Sequence, residues 1–237
     1  IHMSREDEFR FVSLLALELE NGDISLPSLP DVVGKIRKML ESDAVDFEKI
    51  SLAVSVDPVL VSRLFLFANS AYYNRANLEV ETLDAAIGRL GFEVVRSTAI
   101  STAMKQLYAF EKHSGSTKDL KAIWARGMKL SCMAFAVAKT SSTTNEETAF
   151  LCGLMHEVGK LYILTKAEEF PEILGNPKSL QAMFEQWNGQ ISKSIVESWG
   201  FSDEMAESAD PAHYLDEDSA SPARLVDVVW VAKLLVD

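Results

Sequence analysis

The 237-residue sequence contains only two cysteines, Cys132 and Cys152. Both fall in apolar stretches with helical spacing, so we expect two buried, reduced thiols rather than a disulfide framework. No apolar run is long enough to cross a bilayer, and no signal peptide is recognisable. The sequence therefore predicts a protein of the reducing cytoplasm without a membrane partner.

Basic charge is also scarce. The chain carries 23 Lys and Arg against 35 Asp and Glu, which gives a formal net charge of -12. A protein that binds nucleic acid needs a face rich in Lys and Arg to neutralise phosphates, and no such run occurs. This balance argues against a nucleic acid partner and against binding to an anionic membrane surface.

The common catalytic motifs are missing too. The 11 Gly residues form no phosphate-binding loop, and the sequence has neither a G-x-S-x-G elbow nor a Cys-x-x-Cys pair. The remaining composition is that of an ordinary globular protein, with 48% hydrophobic and 24% charged residues. It excludes disorder as a description of the whole chain, and the length fits one large domain or two small ones.

The hydrophobic spacing is helical almost everywhere, and no strand-like alternation of useful length occurs, so we predict an all-α fold. The polar segment 113–116 is the best internal boundary. It separates an N-terminal helical lobe, residues 4–112, from a C-terminal lobe, residues 113–237, and residues 1–3 are interpreted as a cloning scar. The predicted helix signals are N-caps at Asp46, Asp57 and Thr82, a stop at Gly91, a capping box at Thr144 with Glu147, and a start at Ser221-Pro222.

One dense polar motif carries potential chemistry: residues 153–160 read GLMHEVGK. It lies in an apolar helical stretch, so His156 and Glu157 are predicted close to the core. Imidazole nitrogen and carboxylate oxygen suit several divalent metals. The pair alone is weak evidence, because a metal site normally needs three or more ligands and adjacent helical residues do not face the same way.

Four motifs in the N-terminal lobe resemble one known family. Residues 26–30 read LPSLP, 57–60 DPVL, 66–71 LFANSA and 82–91 TLDAAIGRLG. With them the sequence, from about residue 26 to residue 235, resembles the HDOD (HD-related output domain) family of bacterial signalling proteins. The resemblance implies an HDOD-type multi-helix fold with a C-terminal lobe similar to the HD metallophosphohydrolase core, in which residues 153–160 stand at the His-Asp signature.

Departures from that signature determine what the resemblance implies about function. Only His156 and His213 keep a metal-ligand side chain, whereas Arg126 and Lys233 would place positive charge where a divalent cation sits. The resemblance therefore implies a vestigial site at His156, Glu157 and His213, without metal, cofactor or catalysis. In this alignment with catalytic HD enzymes, Arg126 and Asn188 stand where those enzymes have histidines. Glu157 and Lys233 stand where they have aspartates.

Three functional hypotheses follow. The favoured one is a non-catalytic signalling or regulatory module that binds a protein partner or a small ligand. The alternative is an atypical metal-dependent phosphohydrolase of nucleotides or cyclic dinucleotides, with His156 as ligand and Glu157 as ligand or base. A third hypothesis makes the degraded site a nucleotide sensor, in which Arg126 and Lys160 hold a phosphate.

Three residues near the end of one predicted helix are further candidate contacts. Asn69 is a candidate ligand contact, although an asparagine at a helix end more often bonds the local backbone. Tyr72 and Tyr73 lie in a predicted loop, where two aromatic side chains are a candidate protein-partner contact. Local packing of the two rings is the alternative.

Overall fold

The computed structural model describes residues 5–24, 31–40, 46–108, 117–141, 144–210 and 223–237. These ranges contain thirteen helices and no strand, which confirms the all-α prediction. The helices are α1 Arg5–Asn21, α2 Asp31–Leu40, α3 Phe47–Ser55, α4 Pro58–Ala68, α5 Leu83–Leu90, α6 Phe92–Leu107, α7 Thr117–Ser141, α8 Glu146–Met155, α9 Val158–Ala167, α10 Pro171–Leu174, α11 Pro177–Ser198, α12 Asp203–Ser208 and α13 Leu225–Val236.

The helices form two compact units. The smaller unit comprises residues 29–107, and the larger one comprises residues 1–28 together with 108–237. Helix α1 belongs to the larger unit, because the rings of Phe11 and Phe170 meet edge-on at 5.2 Å and the Tyr162 hydroxyl donates to Glu18 at 2.5 Å. The predicted lobes, residues 4–112 and 113–237, stay a proposal about domain organisation.

In the smaller unit, side-chain caps set the helix starts as predicted. The carboxylate of Asp46 accepts from the Lys49 N–H at 3.2 Å, and that of Asp57 accepts from the Val59 N–H at 2.9 Å. The Thr82 hydroxyl caps α5 in the same way. Each oxygen satisfies an N–H group that has no partner inside its helix. Gly91 ends α5 with a φ of 81°, a conformation that glycine adopts without a steric penalty.

In the larger unit, α7 packs against α8 and α13, while α9 packs against α11. The α7–α8 contact is a close backbone approach, since a Cβ atom added at Gly153 would lie 2.7 Å from the Ser131 Cα. The core of this unit is apolar, and it includes the fully buried Leu130, Ile163 and Ile195. These packed helices carry the GLMHEVGK motif, which spans the end of α8 and the start of α9.

Two local predictions need correction, and a third lies outside the described residues. Helix α8 is capped by Asn145, whose side chain accepts from the Thr148 N–H at 2.9 Å, so the predicted Thr144 cap is wrong by one residue. The last helix begins at Leu225, and the predicted Ser221-Pro222 start lies outside the described residues. Cys152 is buried as predicted, but Cys132 is exposed.

Within the described residues, none of the helices taken singly is both long and apolar enough to cross a membrane. Helices α3 and α4 meet that criterion only when combined, and they are bent by 117° at their junction.

Candidate functional site

The motif residues His156 and Glu157 lie at a break between two helices, not inside one. Helix α8 ends at Met155 and α9 begins at Val158. Residues 156 and 157 form the turn that joins the two helices. The prediction of a continuous helical stretch is therefore wrong at these two residues.

Two side chains of α11 hold this break. The Asn188 amide donates to the His156 carbonyl at 2.9 Å and accepts from the Lys160 N–H at 3.0 Å. The Ser192 hydroxyl oxygen accepts from the Gly159 N–H at 2.8 Å. Both side chains are buried, and they satisfy backbone groups that the helix ends leave without partners. Asn188 therefore has a structural role at the position where the HD resemblance expects a histidine.

The carboxylate of Glu157 is buried and bound by two cations. Its side chain is 2% exposed. The Lys160 Nζ lies 2.5 Å from its Oε2, and the Arg126 Nε donates to its Oε1 at 3.3 Å. Arg126 also pairs with Asp237 through a terminal guanidinium nitrogen. The carboxylate that a metal would need as a ligand is therefore already paired with two positively charged side chains.

His156 is a buried, uncharged imidazole. Burial lowers its pKa from 6.5 to about 4, and the positive charges of three neighbouring side chains add to the decrease, whereas the Glu157 carboxylate opposes it. The ring is therefore neutral near pH 7. Its Nδ1 is buried and has no hydrogen-bond partner in the part of the chain that the structure describes. The three neighbouring cations are Lys233, Lys160 and Arg126.

These side chains line one cavity of about 730 Å³ within the larger unit. Its wall is built by α7, by the break between α8 and α9, by α11, and by α13. The structure therefore brings together the positions that the sequence assigned to the degraded HD site. They are Arg126, His156, Glu157, Lys160, Asn188 and Lys233.

Sequence reasoning missed several other lining residues. Phe184 and Trp230 supply aromatic surface, each with a lysine ammonium above its ring. Asp237 and Asp210 bring carboxylates to the same cavity. Nothing in their sequence spacing distinguishes these residues from ordinary core or surface positions of their helices.

The family model of the HDOD domain matches residues 26–215. This chain belongs to the HDOD domain family. The match includes the cavity residues from Arg126 to Asp210, whereas Trp230, Lys233 and Asp237 follow it.

Solved structures share the fold of this HDOD domain. A protein of Shewanella amazonensis SB2B, provisionally named a metal-dependent phosphohydrolase, superposes with a TM-score of 0.80 and 24% identity, covering 97% of this chain and 83% of its own. An HDOD domain protein of unknown function from Geobacter sulfurreducens gives a TM-score of 0.67 and 21% identity, covering 96% and 78%. A protein of Marinobacter aquaeolei VT8, provisionally named a signal transduction protein, gives 0.63 and 18%, covering 97% and 54%.

A sequence relative of this HDOD domain is longer than the chain. A protein of Treponema pallidum (strain Nichols) is 20% identical over 235 residues, which are 94% of this chain and 44% of the relative. The chain thus spans less than half the length of that relative.

The donor set in the cavity of this HDOD domain does not fit a divalent metal. No group of three or more His, Cys, Asp or Glu side chains is placed to hold an ion in the described ranges. His156 and Glu157 are two donors, and Glu157 is already neutralised by Arg126 and Lys160. A metal would have to displace these cations and also approach Lys233, which electrostatic repulsion opposes.

The other predicted contacts of this HDOD domain lie in its smaller unit or outside the described residues. The Asn69 amide pairs with the backbone of Val80 in both directions, at 2.8 and 3.2 Å, which is a helix-end role. The rings of Tyr72 and Tyr73 pack edge-on at 4.8 Å, and Tyr72 is 50% exposed. His213 lies outside the described residues.

Proposed function

We propose that this HDOD domain is a non-catalytic regulatory module of cytoplasmic signal transduction, which acts by binding a protein partner or a small ligand. The observation that carries the proposal is the state of Glu157. Its buried carboxylate is bound by Arg126 and Lys160, so the group that would complete a metal site instead anchors two cations. Family membership agrees with a signalling role, as does the provisional name of the Marinobacter protein.

The alternative is an atypical metal-dependent phosphohydrolase, which the provisional name of the Shewanella protein suggests. Such an enzyme needs a metal to polarise the phosphate and to activate water. His156 could supply one neutral imidazole ligand, but the positive charges of Arg126 and Lys233 would repel a metal ion bound to that imidazole. The electrostatics of the cavity therefore favour binding without turnover.

The protein-binding mode has its own candidate contact. Tyr72 exposes half of its surface beside Tyr73, and aromatic side chains of this kind are enriched at binding hot spots. We propose the Tyr72–Tyr73 pair as a partner contact of the smaller unit.

The proposal predicts that purified protein supplied with Mn²⁺ hydrolyses neither bis(para-nitrophenyl) phosphate nor cyclic di-GMP above background. A His156→Ala variant should give the same background rate, because no imidazole-bound metal contributes to it. The measurement is a steady-state assay of both proteins. A Glu185→Gln variant is the control, since Glu185 lines the same cavity and its carboxylate accepts a hydrogen bond from Gln181.

Turnover by the unaltered protein that His156→Ala abolishes and Glu185→Gln leaves intact would overturn the proposal. It would establish the phosphohydrolase alternative instead.

A further inference from the structure

One positively charged side chain of the cavity, that of Lys233, takes no part in the ion pairs of Glu157 and Asp237. Glu157 holds Arg126 and Lys160, and Asp237 holds Arg126 as well. Lys233 instead lies over an aromatic ring, with its Nζ 5.6 Å from the centroid of Trp230. Among the residues that the structure describes, no carboxylate forms an ion pair with Lys233. One end of the cavity therefore offers positive charge to an entering anion.

A second, independent observation is the unsatisfied imidazole. His156 is 1% exposed, lines the cavity, and leaves its Nδ1 without a hydrogen-bond partner within the described ranges. A buried polar atom without a partner is costly in free energy, and a bound ligand is one way to satisfy it. The N–H groups of Gly159 and Lys160 are already bonded to α11, so the anion must be held by side chains rather than by the start of α9.

The aromatic side chains of the cavity wall indicate which chemical group the rest of the ligand carries. Phe184 and Trp230 present flat aromatic surfaces, each covered by a lysine at 5.7 and 5.6 Å. Lys233, which lies over the Trp230 ring, is held more weakly there than a lysine bonded to a phosphate oxygen, so an arriving phosphate can draw Lys233 away and free that ring.

We propose that this cavity binds a nucleoside monophosphate, with the phosphate held by Lys233, Lys160 and Arg126 and the base stacked on Trp230. The proposal rests on the small-ligand mode of the proposed function. A volume of about 730 Å³ lies within the range of small-molecule sites. The dianionic phosphate takes the place of Asp237 on Arg126, because the Asp237 side chain is 48% exposed and can turn to solvent.

Isothermal titration calorimetry with GMP and AMP, each without added metal, tests the proposal. We expect saturable binding of at least one nucleotide. Guanosine lacks the phosphate and inorganic phosphate lacks the base, so each should bind at least about tenfold more weakly than that nucleotide. Lys233→Ala should weaken nucleotide binding by at least about tenfold. Asp237→Asn should strengthen it, because a competing carboxylate is removed.

Lys129→Ala is the matched control for Lys233→Ala. It removes the same charge from an exposed position on α7 that does not line the cavity, and it should leave nucleotide affinity unchanged. Absence of saturable binding of both nucleotides, or equal affinity of the Lys233→Ala and Lys129→Ala variants, overturns the inference. Either result, obtained without metal-dependent turnover, leaves the proposed non-catalytic function standing. Metal-dependent hydrolysis overturns that function whatever the nucleotide affinity.

Discussion

Replacing Gly159 with alanine is expected to reduce the free energy of unfolding by about 2–3 kcal/mol. A Cβ atom at this position would collide with the backbone carbonyl oxygen of Asn188, and it would lie 2.8 Å from the Ser192 Oγ and 2.9 Å from the Asn188 Oδ1. None of these atoms can move freely, because Asn188 and Ser192 bond the backbone on both sides of the break. Helix α9 would have to move away from α11. Urea unfolding followed by far-UV circular dichroism measures the loss.

Gly127→Ala is the matched control in the same unit. A Cβ atom at Gly127, inside α7, would meet the Leu154 Cδ1 at 3.7 Å, which is an ordinary van der Waals contact. Alanine also favours the helix over glycine, so the variant should be unchanged or more stable by about 0.5–1 kcal/mol. Equal destabilisation by Gly159→Ala and Gly127→Ala would contradict the close approach of α9 and α11.

Replacing Glu157 with glutamine is expected to reduce the free energy of unfolding by about 3 kcal/mol. The amide keeps the size of the side chain but removes the negative charge that Arg126 and Lys160 share. Both cations would then be left partly buried without their carboxylate. The expected loss is at the lower end for a broken buried pair, because the Arg126 and Lys160 side chains are 31% and 18% exposed and can reach water. Urea denaturation at neutral pH is the measurement.

Glu185→Gln makes the same chemical change in the same cavity. Glu185 is exposed, and its carboxylate accepts from the Gln181 amide at 2.8 Å. A surface contact of this kind contributes little, so we expect a change of about 0.5 kcal/mol or less. If Glu157→Gln were as mild as Glu185→Gln, the two ion pairs of Glu157 would not hold the site together.

The parts of the fold that depend on short-range chemistry could be predicted from the sequence. Asp57 followed by Pro58 and Thr82 ahead of an apolar helix are complete signals within a few residues, and the structure has both caps. The cap of α8 was misplaced because residues 140–145 contain several side chains able to cap a helix, so the sequence does not distinguish Asn145 from Thr144. Exposure of Cys132 was missed because the small, mixed residues around it on α7 do not separate a buried face clearly.

The candidate site was predicted in its residues but not in its geometry. Resemblance to the HD core singled out Arg126, Asn188 and Lys233, and all three line the cavity beside His156. The break at His156 and Glu157 could not be predicted, since it depends on hydrogen bonds between residues about thirty positions apart. The place of Trp230 in the cavity wall could not be predicted either, because helical spacing alone does not show that a side chain borders a cavity.

The central claim is that the positively charged side chains of Arg126, Lys160 and Lys233 prevent a metal ion from binding at this site. Elemental analysis of freshly purified, untagged protein tests it most directly, before and after incubation with Mn²⁺, Fe²⁺ or Zn²⁺ and removal of free ions. The account predicts far less than one metal ion per chain, with no difference between the unaltered protein and His156→Ala. Close to one ion per chain, lost in His156→Ala, would contradict it.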